Sequence, residues 1–172
     1  GKLLKPLGDL DFEDAVEAFK EQVILARDDV DGFIIETMTD LHEVKAAMLA
    51  IQENTDKPLF VSVTFQENGN MLTGASPEQA VALIEGLGAD VVAVNCALGP
   101  NELESIIMRM LNTARIPMLV QPNAGLPKFR NGQTVYDVGP DEFSDYIRKF
   151  AQAGISGFGG CCGTTPAHIK AR

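Results

Sequence analysis

Short apolar runs alternate with amphipathic stretches from one end of this sequence to the other. After an opening loop, Asp11 stands as an N-cap, and Phe12, Ala15, Val16, Phe19 and Val23 recur at helical spacing. GFIIET (32–37) is a short run rich in β-formers, the pattern of a buried strand. The alternation continues with a helix over 41–54 and a strand over 58–65. Ser76 then caps a helix that has Pro77 at its first position and Gln79 closing a capping box. A strand over 91–96, a helix over about Glu102–Thr113 and a strand over 117–122 follow. The last units are a helix from Pro140 to Ala153 stopped by Gly154, a strand over 155–160 and the start of a helix in TPAHIKAR.

Strict alternation of short buried strands with helices predicts an α/β fold with a parallel sheet and right-handed crossovers. No internal repeat or low-complexity linker interrupts it. Two architectures fit: a five-stranded doubly wound sheet, or five consecutive units of a (β/α)8 barrel. A complete barrel takes about 250 residues, so the second choice expects an N-terminal portion that is not in these 172 residues.

Charge narrows the function classes. There are 24 acidic against 14 basic residues, a formal charge of −10. That balance disfavours nucleic acid, which selects a basic face, and anionic lipid for the same reason. No apolar run approaches the roughly 20 residues of a membrane span. The opening GKLLKPLGDL lacks the apolar core of a signal peptide, so a cytoplasmic location is expected. Three cysteines are an odd number, better suited to reduced thiols or metal ligands than to a disulfide framework. His42 and His168 lie in helical patterns with no second histidine at ligand spacing, so both are expected at the surface or in caps. DLHEVK (40–45) begins like a cobalt-ligating D-x-H-x-x-G motif, but Lys45 replaces the glycine, and Asp40 is expected to cap a helix.

In a parallel α/β protein the carboxyl ends of the strands share the face that carries the active site. Those ends hold Glu36 and Thr37, Thr64 and Gln66, Asn95 and Cys96, Gln121 and Asn123, then Cys161 and Cys162, so all three cysteines fall there. Three converging thiolates suit zinc with room for a fourth ligand. Adjacent cysteines in a regular strand point to opposite faces. Gly159, Gly160 and Gly163 are therefore expected to let the chain leave extended geometry. Other readings remain open at this point. The glycine-rich loop before Thr164 and Thr165 could bind a phosphorylated small molecule without any metal, or it could be a tight turn with two incidental thiols. A redox pair is disfavoured because the spacing is CC and not CxxC.

The segments GKLLKPLGDL, IIETMTDLHEVKAA, VNCALGP, QPNAGLP and GGCCGTTPAHI, in that order, resemble the homocysteine-binding barrel of the homocysteine S-methyltransferase family, and most closely its cobalamin-dependent, methionine-forming branch. VNC followed by GGCCGT is the specific part. The resemblance implies a (β/α)8 (TIM) barrel, of which residues 1–172 are the C-terminal part. It would run from the helix after strand three to the start of the last helix, with strands one to three absent. It implies that Cys96, Cys161 and Cys162 bind Zn2+. It also implies that Glu36, with Thr37 beside it, holds the amino group of homocysteine, and that Asn123 lies close to the metal. The implied activity is zinc-dependent transfer of a methyl group to the homocysteine thiol, giving methionine. The donor would be methylcobalamin on another module, and cobalamin-binding and methyl-donor modules would be the partners. Residues 124–139 are a candidate lid or substrate loop. Because the family's first-strand substrate loop has no match here, this stretch alone is expected to expose two strand edges and to be inactive.

Overall fold

The computed structural model describes residues 3–171. The opening loop and last helix expected from the sequence include Gly1, Lys2 and Arg172, which lie outside the described residues. The elements, in chain order, are α1 (Phe12–Ala26), β1 (Phe33–Met38), α2 (Leu41–Gln52), β2 (Leu59–Val63), α3 (Pro77–Gly86), β3 (Val91–Asn95), α4 (Pro100–Thr113), β4 (Met118–Gln121), β5 (Lys128–Arg130), β6 (Gln133–Val135), α5 (Pro140–Ala153), β7 (Gly157–Phe158) and α6 (Pro166–Lys170). No helix among the described residues is long and apolar enough to cross a membrane.

Local chemistry accounts for most boundaries. Ser76 and Gln79 form the expected reciprocal capping box on α3. Asp40 accepts from the His42 backbone N–H at 3.0 Å and caps α2. Gly154 stops α5 in the left-handed conformation, with φ of 111°. Two expectations need correction. Asp11 occupies the N-cap position of α1 but makes no capping bond, its carboxylate being turned to Lys5 at 2.9 Å. Helix α4 begins at Pro100, two residues before the expected start, because proline is favoured in a helix's first turn and Gly99 supplies the extended residue before it.

Strands β1, β2, β3, β4 and β7 form one parallel sheet in that order, and β5 pairs only with β6. This order decides between the two architectures. A doubly wound sheet reverses strand order at a switch point and places helices on both faces. Here the order never reverses, and neighbouring helices pack in sequence, α1 on α2 through to α5 on α6. The sheet is therefore an arc of a (β/α)8 barrel, with β1 and β7 at its edges.

Side-chain alternation along each strand separates the two faces of that arc. Ile35, Leu59, Val61, Val63, Val92, Val94, Met118 and Val120 face the helices and join Val44, Met48, Ile84, Leu103, Ile107, Phe143 and Phe150 in one buried core. The opposite face carries Ile34, Glu36, Phe60, Ser62, Ala93, Asn95, Leu119 and Gln121. At the β1 edge this inner face is open: Ile34 is 61% exposed. A groove there is lined by Phe19, Val23, Phe33, Ile34 and Glu36.

Candidate metal centre

Strand β3 ends at Asn95, and the next two residues leave extended geometry at once. Cys96 and Ala97 have φ of 60° and 57°, a left-handed conformation that non-glycine residues rarely adopt. The Cys96 N–H still reaches the Gln121 carbonyl at 3.2 Å, and the Leu98 N–H closes a tight turn on the Cys96 carbonyl at 2.7 Å. The sulfur of Cys96 is thereby held just beyond the strand end.

The second cysteine loop extends the pairing of β7 with the chain beside it. Gly159 N–H donates to the Val120 carbonyl and Cys161 N–H to the Pro122 carbonyl, at 3.0 and 2.9 Å. The chain then turns. Cys162 N–H donates to Asn123 Oδ1 at 3.0 Å, and Ala124 N–H donates to the Cys162 carbonyl at 2.9 Å. Of the three glycines expected to free this turn, only Gly163 has a positive φ, 80°. Gly160 is required for space, since a Cβ there would lie 2.6 Å from Thr164 Oγ1, and at Gly159 it would lie 3.0 Å from Gln121 Cγ.

These two turns bring the sulfurs of Cys96, Cys161 and Cys162 within 4.8 Å of one another. Cys96 and Cys162 are 3.6 Å apart, and all three thiols are free. Zinc bound tetrahedrally with Zn–S bonds of ~2.3 Å sets its sulfurs ~3.8 Å apart, so the donor set and its spacing fit that ion. No fourth His, Cys, Asp or Glu joins the group among the described residues. Three protein ligands and one free position are the pattern of a catalytic centre and not of a structural one. Cys96 and Cys161 are half-buried and Cys162 is exposed, which leaves an approach for a ligand.

The phosphate alternative meets a difficulty in the same loop. Of the seven amides from 159 to 165, those of Gly159, Cys161, Cys162, Thr164 and Thr165 already have acceptors within the protein. A phosphate cradle needs such groups free. The helix that follows, α6, has only five residues.

Around the sulfurs sit residues that the sequence places with differing success. Thr37, with φ of 62°, lies where the β1–β2 register shifts between Ile35 and Met38. Its N–H donates to Asn95 Oδ1 at 3.1 Å, and its Oγ1 accepts from Asn95 Nδ2 at 2.7 Å. Asn95 Nδ2 also donates to Cys161 Sγ at 3.8 Å, so Thr37 reaches the sulfur cluster through one intervening side chain. Glu36 is exposed on the open β1 edge and has no side-chain hydrogen bond or ion pair among the described residues. Asn123 is 3% exposed, with its side-chain oxygen engaged by the Cys162 N–H. Through that bond it shapes the turn that carries Cys162.

Three residues outside the candidate set also build the centre. Asn95, wholly buried, was visible only as a strand-end polar residue. Tyr136 packs on Gly163, where an added Cβ would meet its ring at 2.3 Å. Burial first, and then the neighbouring Cys162, Cys96 and Cys161 thiols, push its phenol pKa upward. His168, expected as a surface or capping residue, is a buried cap. Its Nδ1 accepts from the Thr165 N–H at 3.1 Å and its Nε2 faces the Val138 carbonyl at 3.0 Å. A backbone N–H only donates and a carbonyl only accepts, so these partners select the neutral ring protonated at Nε2. His42 is exposed, as expected. Two buried oxygens, Thr64 Oγ1 and Gln121 Oε1, have no partner among the described residues and stand at strand carboxyl ends on this face.

Comparison with known proteins supplies the context for this arrangement. The family model described as homocysteine S-methyltransferase matches residues 1–172. Methionine synthase of Mycobacterium leprae (strain TN) is 38% identical over 177 residues, covering 99% of this chain and 15% of that protein. Methionine synthase of Mycobacterium tuberculosis (strain ATCC 25618 / H37Rv) is 37% identical over the same span and coverage. The chain thus spans about a seventh of the length of these curated relatives. The metallated form of the homocysteine methyltransferase MmuM from Escherichia coli superposes with a TM-score of 0.72 at 23% identity, over 91% of this chain and 50% of that one.

Proposed function

The chain belongs to the homocysteine S-methyltransferase family, and from that premise we propose that it forms the zinc-binding, homocysteine-binding part of an enzyme that methylates the homocysteine thiol to give methionine. In this reading residues 1–172 are the C-terminal portion of one (β/α)8 barrel whose first strands lie elsewhere in the gene product. The observation that carries the reading is the mutual approach of three sulfurs within 4.8 Å at the carboxyl ends of the sheet, with no fourth protein ligand among the described residues.

Cys96, Cys161 and Cys162 would hold the ion. When bound, zinc would keep an alkyl thiol deprotonated at neutral pH, where such a thiol is otherwise mostly protonated and a poor nucleophile. The protein's own residues do the rest. The left-handed turn at Cys96 and the bonds of Asn123 and Ala124 to Cys162 hold the sulfurs where a substrate sulfur can join them. Glu36, exposed at the end of β1, is positioned to pair with the ammonium group of an amino-acid substrate, and Thr37 lines the same strand end. The unpartnered oxygens of Thr64 and Gln121 offer further polar contacts on that face. No side chain is needed as a base toward the acceptor once its thiol is held without its proton. The donor we assign is methylcobalamin carried by another module, in line with the likeness to methionine synthases. Cobalamin-binding and methyl-donor modules are then the partners, and the reaction would take place in the cytoplasm.

Zinc content of the full-length gene product tests this directly. Wild type is expected to retain about one zinc at the three-cysteine centre, and Cys96→Ser to lose it. A folded wild type without zinc, or zinc indifferent to that substitution, would sink the mechanism.

A further inference from the structure

We infer that Asn95 is a positioning residue for Cys161: its side-chain amide aims that sulfur and draws electron density from it, so that the substrate's sulfur is the stronger nucleophile of the site. The inference rests on the zinc–thiolate reading above and adds to it the element that sets one ligand apart from the other two.

The orientation of the Asn95 amide is not free. Thr37 N–H can only donate, so the side-chain oxygen must face it, at 3.1 Å. Ser62 Oγ donates to the same oxygen at 2.7 Å. The nitrogen then has to point the other way, toward Thr37 Oγ1 at 2.7 Å and Cys161 Sγ at 3.8 Å. Both donors and both acceptor positions of a wholly buried amide are thereby used, and none is left for water. Cys96 and Cys162 are placed differently. Their sulfurs face each other at 3.6 Å, Cys162 has the Tyr136 phenol beside it, and no side-chain amide reaches either sulfur among the described residues.

This asymmetry has a chemical consequence. An N–H donor shared with a thiolate stabilises its charge and lowers the electron density it can offer an electrophile. A centre with three protein sulfurs beside a methyl donor must direct the methyl group to the fourth, and a damped Cys161 removes one competitor. Thr37 at the end of β1 shares the same amide, so whatever binds at that strand end is tied to the sulfur geometry through a single side chain.

The test uses zinc-loaded, full-length protein, as wild type and as Asn95→Asp. Asp keeps the shape and the acceptor for Thr37 and Ser62 but turns an oxygen, not an N–H, toward Cys161. Each protein is treated with iodoacetamide, where a sulfur–carbon bond forms as the carbon–iodine bond breaks and iodide leaves, and the labelled cysteines are identified by peptide mass. In wild type Cys161 is expected to react more slowly than Cys96, although both are half-buried. In Asn95→Asp that protection is expected to vanish, and affinity for zinc against a competing chelator to fall about 10- to 100-fold. Equal reactivity of Cys161 and Cys96 in zinc-loaded wild type overturns the inference, and decides the matter alone if the variant does not fold. Unchanged zinc affinity and protection in a folded variant overturn it as well. A wild type that holds no zinc overturns the functional reading itself.

Discussion

The segment after β4 has a base and a tip of opposite character. Its base belongs to the metal centre. Asn123 receives the Cys162 N–H, Ala124 donates to the Cys162 carbonyl, and Val138 closes back on Ala124 at 3.0 Å while its own carbonyl faces His168. Its tip is the β5–β6 hairpin, mostly exposed on both strands, with Phe129 at 79% exposure. Only the Lys128–Asp137 ion pair ties that hairpin toward the base among the described residues. One loop thus combines a hydrogen-bonded frame for the sulfurs with an arm held by little more than its own turn. The comparison predicts that changes at the base disturb metal binding and stability together, whereas changes at the tip disturb neither.

Gly163→Ala is expected to have the largest effect. A Cβ there meets the Tyr136 ring at 2.3 Å, and φ is 80°. Left-handed strain of about 1–2 kcal/mol and overpacking of about 1–3 kcal/mol act on the loop that carries Cys161 and Cys162. Thermal unfolding and zinc content should fall in the same variant. A variant with wild-type values in both would show that the base is not a rigid frame for the sulfurs.

His168→Ala comes next. It removes the acceptor for Thr165 N–H and frees the Val138 carbonyl, and losing a cap and a buried bond together destabilises by roughly 1–3 kcal/mol. Chemical denaturation measures the loss. Because His168 links α6 to the loop base, protease sensitivity should rise at 136–138 and at 161–165 together. Sensitivity at only one of them would separate the two segments.

How much of this was legible in the sequence depends on the range of the forces involved. Alternating hydrophobicity marked all five sheet strands and all six helices, because burial on the helix-facing side of each strand is a local pattern. The two-architecture choice was not local, since it turns on strand order. The cysteines are legible as strand-end residues, and the structure brings their sulfurs within 4.8 Å of one another. Asn95 was legible as a polar strand-end residue, but its fourfold bonding involves three other strands or loops, and no spacing encodes that. The β5–β6 hairpin has a weaker signal, confined to its turn. Asn131-Gly132, between KFR and QTV, is the dipeptide favoured in two-residue hairpin turns, and both residues have positive φ, 50° and 80°. The flanking strands have no buried face and so carry no apolar alternation to mark them.

The smallest expected effect sharpens the comparison from the side of the tip. The Lys128 ammonium beside Asp137 holds its carboxyl below the usual carboxylate range. A carboxyl with a depressed pKa in the docked state stabilises that state when ionised. The contribution is fully present above the ordinary carboxylate pKa and is lost as pH falls through the depressed one. Both side chains are nearly half exposed, so water and salt screen the pair and its contribution is small. Amide protection in 128–135, taken relative to the intrinsic exchange rate at each pH, should therefore fall modestly in acid or in high salt, and Asp137→Asn should reproduce that loss at neutral pH. Exchange at 159–165 at neutral pH should not change in that variant, since its amides are held by Val120, Pro122, Asn123, Cys161 and His168 and not by the hairpin. If the variant loosened both segments equally, the arm and the frame would be one cooperative unit, and a hairpin moving over an unmoved sulfur centre would be ruled out.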